Sequence, residues 1–226
     1  MRVVRLSSRA PRRASSSLTF RLTVDFGIPS AAAAAVKLPV ATTRANTSNW
    51  NIDAVHSGIG FSIRHMVVSK VRGRFARFTG NLVLDDGDLT KSAVEATIDV
   101  ASVDTGAPQR DTHLRSADFF EVERFPEMKF RSTRIEKLSG ERYRVTGDLT
   151  IRDVTREIVL EVEHGGRAKD PWGNERIGFI ATATLDRKDF GLHWNQLLET
   201  GGVLVGDRVD VELEVQAVKA AAAKAA

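Results

Sequence analysis

The sequence predicts an all-β domain of about eight antiparallel strands, and three observations carry that expectation. Apolar residues alternate with polar ones at period two in segment after segment. The connections between most segments are short and carry turn residues, so neighbours should pair antiparallel. No run of helices separates the segments to cover a sheet, so the sheet must bury one face by curling or by pairing with a second sheet.

Taken in order, Ile59, Phe61 and Ile63 alternate with Gly60 and Ser62, and Val94, Ala96, Ile98 and Val100 with Glu95, Thr97 and Asp99. Met128 and Phe130 alternate with Lys129 and Arg131, and Tyr143, Val145, Leu149 and Ile151 follow. Ile158, Leu160 and Val162 stand between Glu157, Glu161 and Glu163. Ile177, Phe179, Ala181, Ala183 and Leu185 share one face, and Val209, Val211, Leu213 and Val215 alternate with Asp210, Glu212 and Glu214. Asp85-Asp86-Gly87-Asp88, Ser139-Gly140 and Gly165-Gly166 supply Asx-turn and positive-φ positions for the connections. The long exception, Ala107 to Phe125, reads as a loop with one or two short helical turns, closed by Pro126.

At 226 residues, with 42% hydrophobic and 27% charged residues, the chain has the make-up of one ordinary globular domain. The absence of cysteine excludes a disulfide framework, a thiolate metal site and a cysteine nucleophile. No stretch approaches the roughly 18–20 apolar residues of a membrane-spanning helix, so a soluble or at most peripheral protein is expected. The pI of 9.6 suggests nucleic acid until the charge is located. Residues 1–45 hold seven Arg and Lys37 against Asp25, a balance of +7, and the formal +4 of the whole chain then leaves −3 for the rest. No dense basic stripe with interleaved aromatics remains, and no nucleic-acid partner is expected.

Residues 1–45, rich in Arg, Ser and Ala, are expected to form a disordered leader. Charges interrupt any apolar core of a secretory signal there, which favours a cytoplasmic protein over an exported, periplasmic one. The leader's composition resembles an organellar transit peptide, or equally a bacterial reading frame begun too early, and we favour the latter. The folded domain is placed at 46–219, the Ala/Lys run from Ala217 onward is expected to fray, and 220–226 forms a disordered tail.

Enzyme signatures are sparse. Gly58-Ile59-Gly60 begins a dinucleotide-like pattern, but Ile63 stands where its last glycine should be and no helix follows. There is no nucleophile elbow, P-loop or zinc helix. His56 and His65 would point to opposite faces of one unbroken strand, and no metal site is expected. Asp111 could orient His113 as a general base. The structural alternative has Arg110 and Asp111 bracing the helical segment, and it is favoured. The aromatic residues could either fill a barrel or line a cavity. Ordinary packing favours a filled core, whereas Gly60, Gly73, Gly80 and Gly147 favour a ligand or a close backbone approach.

The run Trp50-Asn51-Ile52-Asp53-Ala54-Val55-His56-Ser57 is followed by Phe61-Ser62-Ile63-Arg64-His65, Val71-Arg72-Gly73-Arg74-Phe75 and Phe78-Thr79-Gly80. Ala101-Ser102-Val103-Asp104-Thr105-Gly106, Arg110 to Phe120, Phe125-Pro126, Gly147 to Arg152 and Arg187-Lys188-Asp189-Phe190-Gly191-Leu192 come next. Over about residues 49–218 this resembles the YceI-like family of polyisoprenoid-binding proteins. The resemblance implies an extended, eight-stranded lipocalin-like barrel with a short helical insertion and an elongated apolar tunnel. It implies a non-catalytic carrier for a polyprenol, polyprenyl phosphate or isoprenoid quinone, with no cofactor besides that lipid. Phe61, Ile63, Phe75, Phe78, Ile98, Phe119, Phe120, Phe130, Phe179, Phe190 and Trp194 would line the tunnel. His65, Arg110, Asp111 and His113 would meet the head group. Transient membrane contact is a further expectation, and an exposed edge or the barrel mouth could support a homodimer. The alternatives are a structural barrel with a filled core and a small enzyme acting on a bound isoprenoid.

Overall fold

The computed structural model describes residues 46–66, 68–197 and 203–221, so the expectations for the leader and for most of the tail lie outside it. The described strands are β1 (Thr47–Ile52), β2 (Gly58–His65), β3 (Ser69–Phe75), β4 (Phe78–Asp85), β5 (Ala93–Asp99) and β6 (Val103–Asp104). They continue with β7 (Glu127–Ser139), β8 (Arg142–Ile151), β9 (Val154–Lys169), β10 (Glu175–Asp186) and β11 (Val205–Lys219). One helix, α1 (Pro108–Arg115), lies in the long connection between β6 and β7.

These strands fill eight positions of a closed antiparallel barrel, because three of the positions are each split in two. β1 and β2 succeed one another along β11, with Ile52 opposite Ala217 and Gly58 opposite Glu214. β3 and β4 run back along β2 and β1, and β5 and β6 return along β4 and β3. The three breaks fall side by side in the register. Ser102, buried at the third, ties two of them together: its hydroxyl donates to the Asp99 carbonyl (2.6 Å) and accepts from Arg77 N–H (3.0 Å). The short β6 is capped by Arg115 of α1, whose guanidinium donates to the carbonyls of Ala101 (2.9 Å) and Val103 (2.7 Å). Without that fork the buried Val103 carbonyl would lose a donor.

Two turn and terminus expectations are corrected. Gly165-Gly166 lies within β9; Gly166, at φ +99°, sits where the β9–β10 register shifts, a bulge that uses glycine's tolerance of positive φ. The connection to β10 is made further on, around Asp170, which accepts from Trp172 N–H (3.0 Å) and Asn174 N–H (2.8 Å). The Ala/Lys run does not fray from Ala217: β11 extends to Lys219, and Ala217 is fully buried opposite Ile52, packed with Trp50 and Ile177.

Arg176 fastens this part of the barrel, donating from Nη1 to Asp53 (2.7 Å) at the first break and from Nε to Asp170 (2.9 Å). The hydrogen bond from Arg176, seconded by His56, holds the Asp53 carboxyl at about 2, against its ordinary 3.8. The Asn174 side-chain amide, with Arg176, holds Asp170 at about 2. Both native carboxyls bind protons more weakly than in the unfolded chain, so their contribution is complete above about pH 4 and is lost as pH falls toward 2. Urea unfolding across that window is expected to show a declining midpoint for the wild type. Asp170→Asn should start lower and decline less steeply; an unchanged slope would contradict the assignment.

Candidate functional site

Alternation delivers every second side chain of the barrel strands to the interior, which is not filled. A cavity of about 620 Å³ runs through it, walled chiefly by carbon. Two features keep it open. Along β10 the inward positions Ala181 and Ala183 are small, as is Ala96 on β5. In addition, two aromatic rings occupy the space over glycines of the adjacent strand. A Cβ at Gly73 would stand 2.4 Å from the Phe61 ring, and one at Gly147 only 2.6 Å from the Phe130 ring. Bulky rings are thereby drawn against the wall and away from the axis.

Every expected tunnel residue is on this wall. Phe61 and Ile63 come from β2, Phe75 and Phe78 from β3 and β4, and Ile98, Phe130 and Phe179 from β5, β7 and β10. Phe119 and Phe120 follow α1, Phe190 stands on a single 3-10 turn after β10, and Trp194 lies just beyond. Of the expected head-group residues, His65, Arg110 and His113 reach the cavity. Asp111 does not. It is buried behind α1, where its Oδ1 accepts from the Thr105 amide (2.9 Å) and hydroxyl (2.5 Å).

Arg110 meets the same residue, donating from Nε to the Thr105 hydroxyl (2.7 Å) and from Nη2 to its carbonyl (2.8 Å). Arg110 and Asp111 thus brace the helix, as the structural alternative held. His113 pairs with Asp118, not Asp111, at 2.8 Å from Nε2. Its ring stands edge-on to Phe119 (centroids 5.1 Å apart) and Trp194 (4.6 Å), which places an aromatic cluster beside the mouth. Among the described residues no group of three or more His, Asp or Glu is arranged to hold a metal.

Most of the polar lining, and all of its charged part, gathers at the end where α1, the β2–β3 hairpin and the segment around Trp194 converge: Arg64, His65, Thr105, Gln109, Arg110, His113 and Arg187, with Ser92 and Tyr143 nearer the other end. Sequence reasoning missed Arg64 and Gln109. Alternation sends Arg64 outward, yet at the end of β2 it borders the opening. Arg187, also missed, is buried with its guanidinium donating to the carbonyls of Gly206 (2.9 Å), Trp194 (2.9 Å) and Leu192, and to Asp207 (3.2 Å). Burial pushes its pKa down, opposed by Asp207 and Asp186. It fixes the Leu192–Trp194 stretch to the start of β11. The most buried aromatic, Trp50, is not on the cavity wall; it packs against Leu82, Leu84 and Ile177, with Arg167 (5.5 Å to the ring) and Lys219 (5.8 Å) over it.

Comparison with known proteins agrees with this architecture. The model of the YceI-like domain matches residues 50–217. A UPF0312 protein of Staphylococcus epidermidis is 41% identical over 170 residues, covering 75% of this chain and 96% of its own. One from Photorhabdus laumondii is 44% identical over 145 residues, covering 63% of this chain and 75% of its own. Among solved structures, the Campylobacter jejuni YCEI protein superposes with a TM-score of 0.61 at 32% identity, covering 70% of this chain and 91% of its own. Burkholderia cenocepacia BcnA (TM-score 0.65, 22% identity, 73% and 98% covered) shares the fold. So does a polyisoprenoid binding domain from Saccharophagus degradans (TM-score 0.55, 17% identity, 76% and 98% covered). With a family match over most of its length, and with the barrel, the helical insertion and the motif residues in place, this chain belongs to the YceI-like family.

Proposed function

We propose that the barrel is a non-catalytic carrier of a long-chain polyisoprenoid lipid, either a polyprenol, a polyprenyl phosphate or an isoprenoid quinone. The observation that carries the reading is the distribution of polarity: one continuous apolar cavity with its charged lining gathered at the mouth. A volume of about 620 Å³ lies within the range of small-molecule sites, about 300–1,000 Å³. Removing about 400 Å² of isoprenoid tail from water yields about 10 kcal/mol before the costs of association are subtracted. Affinity therefore needs no reactive group. The eleven tunnel residues contact the tail, and His65, Arg110 and His113 meet the head group, Arg110 through its charge and through Nη1, the guanidinium nitrogen that Thr105 does not engage. Asp111 acts indirectly, holding Thr105 and with it α1. The commitment of Asp111 to Thr105, and of His113 to Asp118, supports carriage over chemistry. The polyisoprenoid-binding description of the Saccharophagus domain gives the ligand class added support.

The test is native mass spectrometry of protein purified without detergent, followed by organic extraction. A co-purifying species with an isoprene mass increment is the expected result. Ligand-free protein that also refuses added polyprenols and quinones would overturn the proposal.

A further inference from the structure

We infer that the mouth end of the barrel docks on an anionic lipid bilayer through the tip of the β2–β3 hairpin and the Leu197–Val203 bridge, so that lipid passes directly between membrane and cavity. The inference rests on the carrier reading and adds a surface and a partner to it. Four large apolar side chains stand out at this end: Met66 is 44% exposed, Val68 87%, Leu197 82% and Val203 37%. They belong to one surface. Met66 N–H donates to the Leu204 carbonyl (2.9 Å), Leu197 bridges Val203, and Val205 lies opposite His65. Arg64, His65, Leu204 and Val205 on these same segments also line the cavity.

Charge identifies the partner. From Gly58 to Phe75 the hairpin carries Arg64, Lys70, Arg72 and Arg74 and no acidic residue. The carboxylates beside it are already matched, Asp210 by Lys70 (3.1 Å) and Arg208 (2.9 Å), Asp207 by Arg187 (3.2 Å) and Lys188 (2.8 Å), and Asp104 by Arg74 (3.0 Å), while Arg64 and Arg72 have no acidic partner among the described residues. Apolar tips on a hairpin whose Arg64 and Arg72 are unpaired cations suit an anionic headgroup layer, where the side chains enter the interface and the cations meet phosphates. Three other exposed apolar residues have the opposite company: Val159 stands between Glu157 and Glu161, Ile180 opposite Glu163, and Trp172 beside Asp170. Met66 also holds φ +52°, a turn conformation that a fully solvated hairpin normally gives to Gly or Asn. A second copy of the chain fits less well, because a two-fold contact would set these cations against themselves.

The experiment uses the full chain with vesicles of phosphatidylcholine alone or mixed with phosphatidylglycerol, read by co-sedimentation. Binding to the mixed vesicles that weakens with salt is expected. Val68→Asp and Leu197→Ser should each lower it roughly tenfold, whereas Trp172→Ser at the other end should leave it unchanged. Both mouth residues are strongly exposed, so a melting temperature equal to that of the wild type will confirm folding. Polyprenol delivered from ethanol should load all variants equally, while transfer from vesicles should slow in the two mouth variants. Absent vesicle binding with normal loading from ethanol overturns the docking surface alone. Vesicle binding without any loading overturns the carrier reading alone. Equal loss in Trp172→Ser, or a dimer that Val68→Asp dissociates in place of vesicle binding, rejects this surface as the membrane face.

Discussion

Replacing Arg187 with methionine is expected to lower the unfolding free energy by about 3–5 kcal/mol and the melting temperature by about 10 °C. The reason is the number of groups that one guanidinium satisfies. Carbonyls of Leu192, Trp194 and Gly206 converge on it from two chain segments. A methionine of similar length would fill the space but donate nothing, leaving those carbonyls short of partners in a place water reaches poorly. Asp207 suffers less, being partly exposed and retaining Lys188 at 2.8 Å. Arg187→Lys should recover only part of the loss, since an ammonium cannot reproduce the planar fork. A calorimetric shift of only a degree or two for the methionine variant would show that the segment re-solvates at little cost.

The second large effect concerns ligand. Ala183→Trp places an indole into the cavity from β10 and should strip bound isoprenoid from the purified protein. If the ring displaces about 100 Å² of tail contact, affinity falls by about 2.5 kcal/mol, or roughly 60-fold. Overpacking could unfold a barrel and mimic that result, so Ala96→Phe supplies the check. β5 stands four positions from β10 in the ring of eight, so the two substitutions enter from opposite walls. Both variants should keep cooperative melting, and both should lose ligand in extracts and in polyprenol titrations. Full ligand occupancy in both would place the tail elsewhere.

Alternation made most of the barrel legible, because a wall with one wet and one dry face imposes period two wherever strands are unbroken. It failed where the backbone departs from that geometry. The paired breaks near Asp53 and Val100 left the β1 and β6 segments too short to show a pattern. Gly166 looked like a turn because a bulge and a turn make the same demand for positive φ. Whether the interior was full or hollow was not legible either, since the decision lies in where rings lie, as with Phe61 over Gly73, and not in how many there are. The family motifs were visible as strings, but their physical content emerged only in three dimensions. Arg110 and Asp111 close on Thr105, and Arg187 gathers carbonyls, so several motif residues prove to be braces around the opening, Asp111 wholly so.

Helix α1 has eight residues, no side-chain cap at Ala107, and only Asp111 buried along its length. A helix of that size does not persist by its own propensity; it is kept by the Thr105 and Arg115 contacts. The barrel ladder, by contrast, closes on itself. The two parts therefore have separate stabilities, and α1 is expected to undock at the cost of the Arg115 cap on β6 while the long strands β7 to β11 stay paired. Amide protons of α1 should exchange with solvent by such sub-global openings, well ahead of those in β8 to β11, and for the proposed carrier this local opening, not the stability of the whole barrel, would set the cost of passage through the mouth.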